Sequence, residues 1–219
     1  MTGRKSFHLE LEELQQDLLR MGSLVEKAIA EAVRSLAERD LELAEKVVAG
    51  DDLIDTMELD IENRCLRLLA LQQPMASDLR VIGTALKIVT DLERMADHAS
   101  DIAKVTIRLQ GQPLIKPLVD VPRMAAIARE MTRQSLDAFV QRDVNMALAM
   151  IESDHEVDHL YSQIFRELLT YMMEDPRTIQ QATYLLFVGM YLERIADHAT
   201  NLGEWIIYMV TGEKKELNR

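Results

Sequence analysis

The chain has 219 residues, 37 of them acidic against 25 basic, a net charge of −12, 48% hydrophobic residues and a single cysteine. That charge disfavours nucleic acid as a partner, because phosphate binding needs clustered Lys and Arg to release counterions. It suits cations, or a basic patch on another protein. One cysteine excludes an intramolecular disulfide, and no apolar run approaches the roughly 18–20 residues that span a bilayer. The N-terminal "MTGRKSFHLELEELQQDLLR" is charged throughout, with no apolar stretch resembling a signal peptide, so the expected setting is the cytoplasm.

With only 8 Gly and 5 Pro, and helix formers throughout, the chain reads as all-α. A first helix is expected over about 6–38, where Leu14, Leu18, Met21, Val25, Ala28, Ile29 and Ala32 recur at helical spacing. Asp40 is a candidate N-cap for a short helix that Gly50 would close, and a second long helix is expected over about 51–71. Pro74 is placed to open a third, running to Leu109. The segment "GQPLIKPLVDVP" (111–122) holds three of the five prolines and divides the chain into expected domains 1–112 and 118–219. In the second half, helices are expected over about 122–140, 143–152, 154–173 and 176–210, with Asp175 and Pro176 starting the last one.

The two halves are copies. Glu93, Arg94, Ala96, Asp97, His98 and Ala99 recur as Glu193, Arg194, Ala196, Asp197, His198 and Ala199. Upstream, Arg39, Asp40, Ala44, Asp51 and Asp55 meet Arg142, Asp143, Ala147, Asp154 and Asp158. Long amphipathic helices joined by short turns pack as antiparallel bundles, so the expected fold is a tandem repeat of two three-helix bundles related by a pseudo-twofold.

Residues facing each other in a helical hairpin lie equally far from its turn. Asp55 with Glu93, and Asp51 with Asp97, share a midpoint at Pro74. Asp158 with Glu193, and Asp154 with Asp197, share one between Asp175 and Pro176. At 100° per residue these acids lie well away from the core stripe of Leu92, Met95, Ala96 and Ala99, on the bundle surface or in its grooves. Like charges at i,i+4 cost roughly 0.2–0.5 kcal/mol per pair, and each hairpin brings two such pairs together. Bound cations would relieve this. Iron, manganese or magnesium suits such an oxygen-donor set, and zinc is less natural with so few His. Asp101 extends the first set, while Asn201 stands in its place in the second.

Other residues read as structural. His98 and His198 lie about 100° round from the acids and suit a supporting or solvent-facing place. Arg94 and Arg194 suit pairing with nearby acids, Trp205 suits a packing anchor, the Met residues suit core filling, and Cys65 suits an inert, half-buried thiol. A ferritin-like di-metal enzyme would need E-x-x-H on two helices facing the core. Glu152-x-x-His155 and Glu156-x-x-His159 have the spacing but crowd one short region. A metal-free helical scaffold is the remaining alternative.

At the doubled "LER-x-A-DHA" (92–99 and 192–199), "QPMASDLR" (73–80) and "MMEDP" (172–176), the sequence resembles the PhoU family of phosphate-signalling proteins over nearly its whole length. The resemblance implies two three-helix bundles carrying multinuclear iron or other metal (Zn, Mn, Mg) clusters. Their ligands would be Asp51, Asp55, Glu93, Asp97 and Asp101 in one half, and Asp154, Asp158, Glu193, Asp197 and Asn201 in the other. It further implies a homodimeric regulator rather than an enzyme. Such a protein would restrain phosphate uptake and starvation signalling between the ATPase subunit of a phosphate ABC transporter and a sensor histidine kinase, held at the inner membrane through those partners.

Overall fold

The computed structural model describes residues 2–217, with side chains from residue 6. Six long helices follow in order: α1 (Thr2–Glu38), α2 (Leu41–Gln72), α3 (Ser77–Leu109), α4 (Asp120–Gln141), α5 (Val144–Glu174) and α6 (Ile179–Thr211), with a 3₁₀ turn at Pro176–Thr178. No strand is present among the described residues. The first three helices form one bundle, the last three a second, and the bundles join through α3 against α6 and α1 against α4.

The same two residues make the first turn of each half. Arg39 and Arg142 take left-handed backbone (φ 59° and 56°). The next N–H, from Asp40 or Asp143, donates to the carbonyl of Ser35 or Ala138 five residues back, closing each helix with a Schellman-type bond. Each aspartate then starts the following helix. Asp40 accepts from Leu43 N at 3.0 Å, and Asp143 from Asn145 N and Met146 N at 2.8 and 3.3 Å.

Two expected helix ends do not exist. α2 runs unbroken through Gly50, and α5 through Ser153. One glycine costs a helix about 1 kcal/mol relative to alanine. Buried Val47 and Ile54 on either side of Gly50, and Met150 and Val157 on either side of Ser153, hold both segments on the core and outweigh that cost. Pro74 does not open α3 either. It lies in a loop where Gln73 and Ala76 have positive φ, and α3 begins at Ser77. Asp175 does cap the following turn, accepting from Arg177 N at 3.0 Å, but α6 proper begins three residues past Pro176. α1 starts earlier than expected, at Thr2.

The core is aliphatic. Leu14, Leu18, Met21, Leu92, Met95 and Leu192 are fully buried, among others. Cys65 is also fully buried rather than half-buried, and burial pushes its thiol up to about 12, which keeps it inert. α3 and α6 cross the junction antiparallel. Arg80 donates to the carbonyl of Met209, Thr84 to that of Trp205, and Asp91 meets His198, all in one register. The segment between α3 and α4 is pinned to the second bundle: Lys116 pairs with Glu167, and Gln181 donates to the carbonyl of Pro113. No described helix is long and apolar enough to cross a membrane.

Candidate metal centres

The hairpin register holds in the structure. In the first half Asp51 is acted on by Asp97 and Asp55, and Glu93 by Asp97, Glu58 and Asp55, so the four expected acids share one crease between α2 and α3. In the second half Asp154 is acted on by Asp158 and Asp197, and Glu193 by Asp197 and Asp158. The creases are half-buried: the Glu93 side chain is 16% exposed and that of Asp97 42%, and Asp154 is buried.

This placement raises the acids. Burial, then Asp97, lifts Glu93 to about 7, with Glu58 and Asp55 adding to the shift and Arg94 opposing it. Burial first, then neighbouring carboxylates, also raises Glu193 and Asp197. Asp51 and Asp154 are likewise raised mainly by burial, but each meets a hydroxyl that favours its ionised form. Thr200 donates to Asp154 at 3.1 Å. Ser100 stands at the corresponding place under Asp51, although its buried hydroxyl falls short of regular hydrogen-bond geometry.

The structure adds two ligand candidates that hairpin register alone does not single out. Glu58 joins the first crease one helical turn beyond Asp55, and its carboxyl is raised by burial and by Glu62 and Asp55. His155 adjoins Asp154 and Asp158, and ligand atoms of these three lie within 4.8 Å of one another. The i+3 spacing of Glu58 from Asp55 is the sequence signal for the first. His155 has in sequence only the spacing of a core-facing E-x-x-H. In the structure Glu152, His155, Glu156 and His159 are all exposed, and Glu156 is paired with Arg123. The inward-facing enzyme geometry is not formed by these residues.

The fifth pair behaves differently in the two halves. Asp101 is held by Lys104 at 3.0 Å. Asn201 is half-buried at the equivalent turn. Arg94 lies 3.5 Å from both Glu93 and Asp97, as its expected pairing requires. His98 and His198 meet at the bundle junction with ring centroids 5.8 Å apart. His198 Nδ1 is 2.9 Å from Asp91, and His98 stacks on Tyr191. Lys87 and Lys214 each place Nζ over the Trp205 ring, 5.5 and 5.3 Å from its centroid, and Trp205 meets Tyr208 edge-on.

The arrangement therefore offers two oxygen-rich sets whose carboxylates disfavour one another. Hard cations fit such donors.

Comparison with known proteins agrees with this architecture. The chain matches the PhoU domain twice, over residues 18–106 and 121–206. A phosphate-specific transport system accessory protein PhoU homolog of Clostridium acetobutylicum is 46% identical over 216 residues, 98% of this chain and 99% of that one. The Aquifex aeolicus protein of the same description is 48% identical over 204 residues, covering 93% and 92%. The crystal structure of PhoU from Pseudomonas aeruginosa superposes with a TM-score of 0.90 at 42% identity, over 94% of this chain and all of that one. The phosphate transport system regulatory protein PhoU from Streptococcus pneumoniae gives 0.89 at 34%, over 96% and 99%. These relatives are named as accessory or regulatory proteins, not as enzymes.

Proposed function

The chain belongs to the PhoU family, and from that premise we propose that it is a non-catalytic accessory protein of phosphate-specific transport, restraining uptake and starvation signalling. In this reading it works from the cytoplasmic side as a homodimer, contacting the ATPase subunit of the phosphate transporter and a sensor histidine kinase. The names of its relatives support the accessory role. The chemistry of the two creases supports a metal ion or small cluster in each, iron, manganese, magnesium or zinc. Asp51, Asp55, Glu93, Asp97 and Asp101 would hold it in one half; Asp154, Asp158, Glu193, Asp197 and Asn201 in the other, with Glu58 and His155 in reach.

The observation that carries the metal reading is the facing of two carboxylate pairs across a half-buried crease in each half. Half-burying mutually repelling acids costs stability, and a cation bound there would offset that cost and stabilise the folded state by mass action. Asp97→Ala and Asp197→Ala should each remove one half's metal, read by elemental analysis, and narrow the melting gap between metal-free and metal-loaded protein. Unchanged metal content in the double variant would overturn the metal sites. The regulatory reading is tested separately: deleting the gene should leave phosphate-starvation genes active in phosphate-rich medium. Normal repression without it would overturn that role.

A further inference from the structure

The outer side of the α1/α2 pair carries a groove in two sections of about 360 and 440 Å³. The sections follow one another along the helix pair: one is lined by positions 17 and 20 of α1 and 57–67 of α2, the other by positions 24–34 of α1 and 43–54 of α2, with Ala96 of α3 also lining the second. The α1 lining is about 26 Å long, the length of a helix of about 17 residues.

Its lining is more basic than the chain as a whole. Arg20, Lys27, Arg34, Lys46, Arg64 and Arg67 line it, against Asp17, Glu31, Asp51 and Asp60, in a chain of net charge −12. Arg34 pairs with Glu31, Lys46 with Glu42, and Arg64 with Glu13 and Asp17. Arg20, Lys27 and Arg67 make no ion pair among the described residues. The larger section has an apolar floor with Leu24, Ala28, Leu53 and Ile54, whereas the smaller section is mainly polar, with Met57 and Ile61 its apolar residues. In the second half Arg20 is kept as Arg123, but Lys27, Arg34, Lys46, Arg64 and Arg67 become Glu130, Asp137, Ala149, Glu167 and Thr170, so the repeat does not require a basic groove.

Gly50 lies in this groove, in mid-helix. Its φ is not positive, and nothing lies within 4 Å of where its Cβ would be. Neither backbone geometry nor packing inside the chain calls for a glycine there, despite its cost to α2. It leaves the helix backbone bare, as close approach by another backbone requires.

We propose that the α1/α2 groove docks an acidic amphipathic helix of a partner protein. The apolar stripe of that helix lies on Leu24, Ala28 and Leu53, its backbone passes over Gly50, and its carboxylates face Arg20, Lys27 and Arg67. Charge complementarity selects an acidic partner, and the apolar floor selects a helix over a phosphate polymer, which would leave that floor uncovered. The proposal rests on the reading that this protein acts through protein contacts. Its test uses purified protein alone, so its failure is distinguishable from failure of the regulatory role.

The probe is a labelled synthetic 18-residue peptide with leucines at i, i+3, i+4 and i+7 and Glu on both flanks, titrated by fluorescence anisotropy against the full chain. The controls are its scrambled isomer and inorganic polyphosphate. Wild-type protein should bind the peptide in a salt-sensitive way and prefer it to the scrambled isomer. The exposed triple variant Arg20→Glu/Lys27→Glu/Arg67→Glu should weaken binding by about tenfold or more. Gly50→Leu should abolish it while melting no lower than wild type, since leucine favours the helix. Equal affinity for the scrambled isomer, or undiminished binding by either variant, would overturn the proposal. So would polyphosphate binding that depends on the same three residues when the peptide does not bind.

Discussion

The two bundles match in their cores and in the acids of their creases, and differ over much of the remaining surface. Residues 91–103 and 191–203 have the same succession of buried, half-buried and exposed positions, and Leu92, Met95, Ala96 and Ala99 are matched by Leu192, Ile195, Ala196 and Ala199. Outside that stripe the crease residues Asp51, Asp55, Glu93, Arg94 and Asp97 recur, but other surface positions diverge in charge. Glu13 pairs with Arg64 in the first half, and at the equivalent place Lys116 pairs with Glu167, the same bridge with its signs reversed. Asp101 is held by Lys104, where the second half has Asn201 and a Glu204 that instead accepts from the backbone of Leu217. Close packing constrains buried volume to within a methylene, whereas a half-exposed position tolerates any side chain that water can solvate. The repeat therefore preserves the bundle and its crease acids and leaves the rest of each half's surface charge free to specialise.

One compensated exchange between the halves gives the largest expected effect. Tyr161 stands where the first half has Glu58, and Gly189 where it has Val89. A Cβ at 189 would lie 3.0 Å from the Tyr161 ring, so the glycine makes room for the tyrosine. Gly189→Val should cost about 1–3 kcal/mol by overpacking, measured by denaturant unfolding. In combination with Tyr161→Glu, which restores the first-half pairing, the cost should largely disappear. Additive effects in the double-mutant cycle would show that the two positions are not coupled.

The caps come next. Asp40→Ala and Asp143→Ala should each cost about 1 kcal/mol. The second should cost more, because Asp143 satisfies two backbone N–H groups and Asp40 one. Equal urea midpoints for the two variants would contradict this ranking.

The smallest effect is in pH. Glu93 is raised from 4.5 to about 7, and Glu58, Glu193 and Asp197 are raised as well, so the folded, metal-free protein holds protons that the unfolded chain has released. Stability from these groups falls as pH rises from about 4.5 towards 7. His98 works in the opposite sense. Burial, then His198, lowers it from 6.5 to about 4, so its contribution rises with pH between those values. The wild-type melting temperature should thus fall only gently between pH 5 and 7.5, His98→Asn should steepen the fall, and saturating metal should flatten it. Glu93→Gln should flatten it more than Glu193→Gln, since Glu93 also faces Glu58. A wild-type melting temperature that rises over this range would contradict the assignment of the creases.

Helix content, the doubled unit and the facing of Asp51 and Asp55 on Glu93 and Asp97 are all legible in the sequence. They follow from 3.6-residue periodicity and from the mirror register of an antiparallel hairpin, which are local rules. The caps at Asp40 and Asp143 are legible for the same reason, since capping is chemistry within a few residues. Long-range packing is what carries α2 through Gly50 and α5 through Ser153: a local breaker signal of about 1 kcal/mol yields to burial of the flanking apolar side chains. Packing also brings Glu58 to Glu93, and His198 to Asp91. The latter meeting depends on how α3 slides along α6, and that register is set by the fit of one bundle on the other, which no periodicity within either helix specifies.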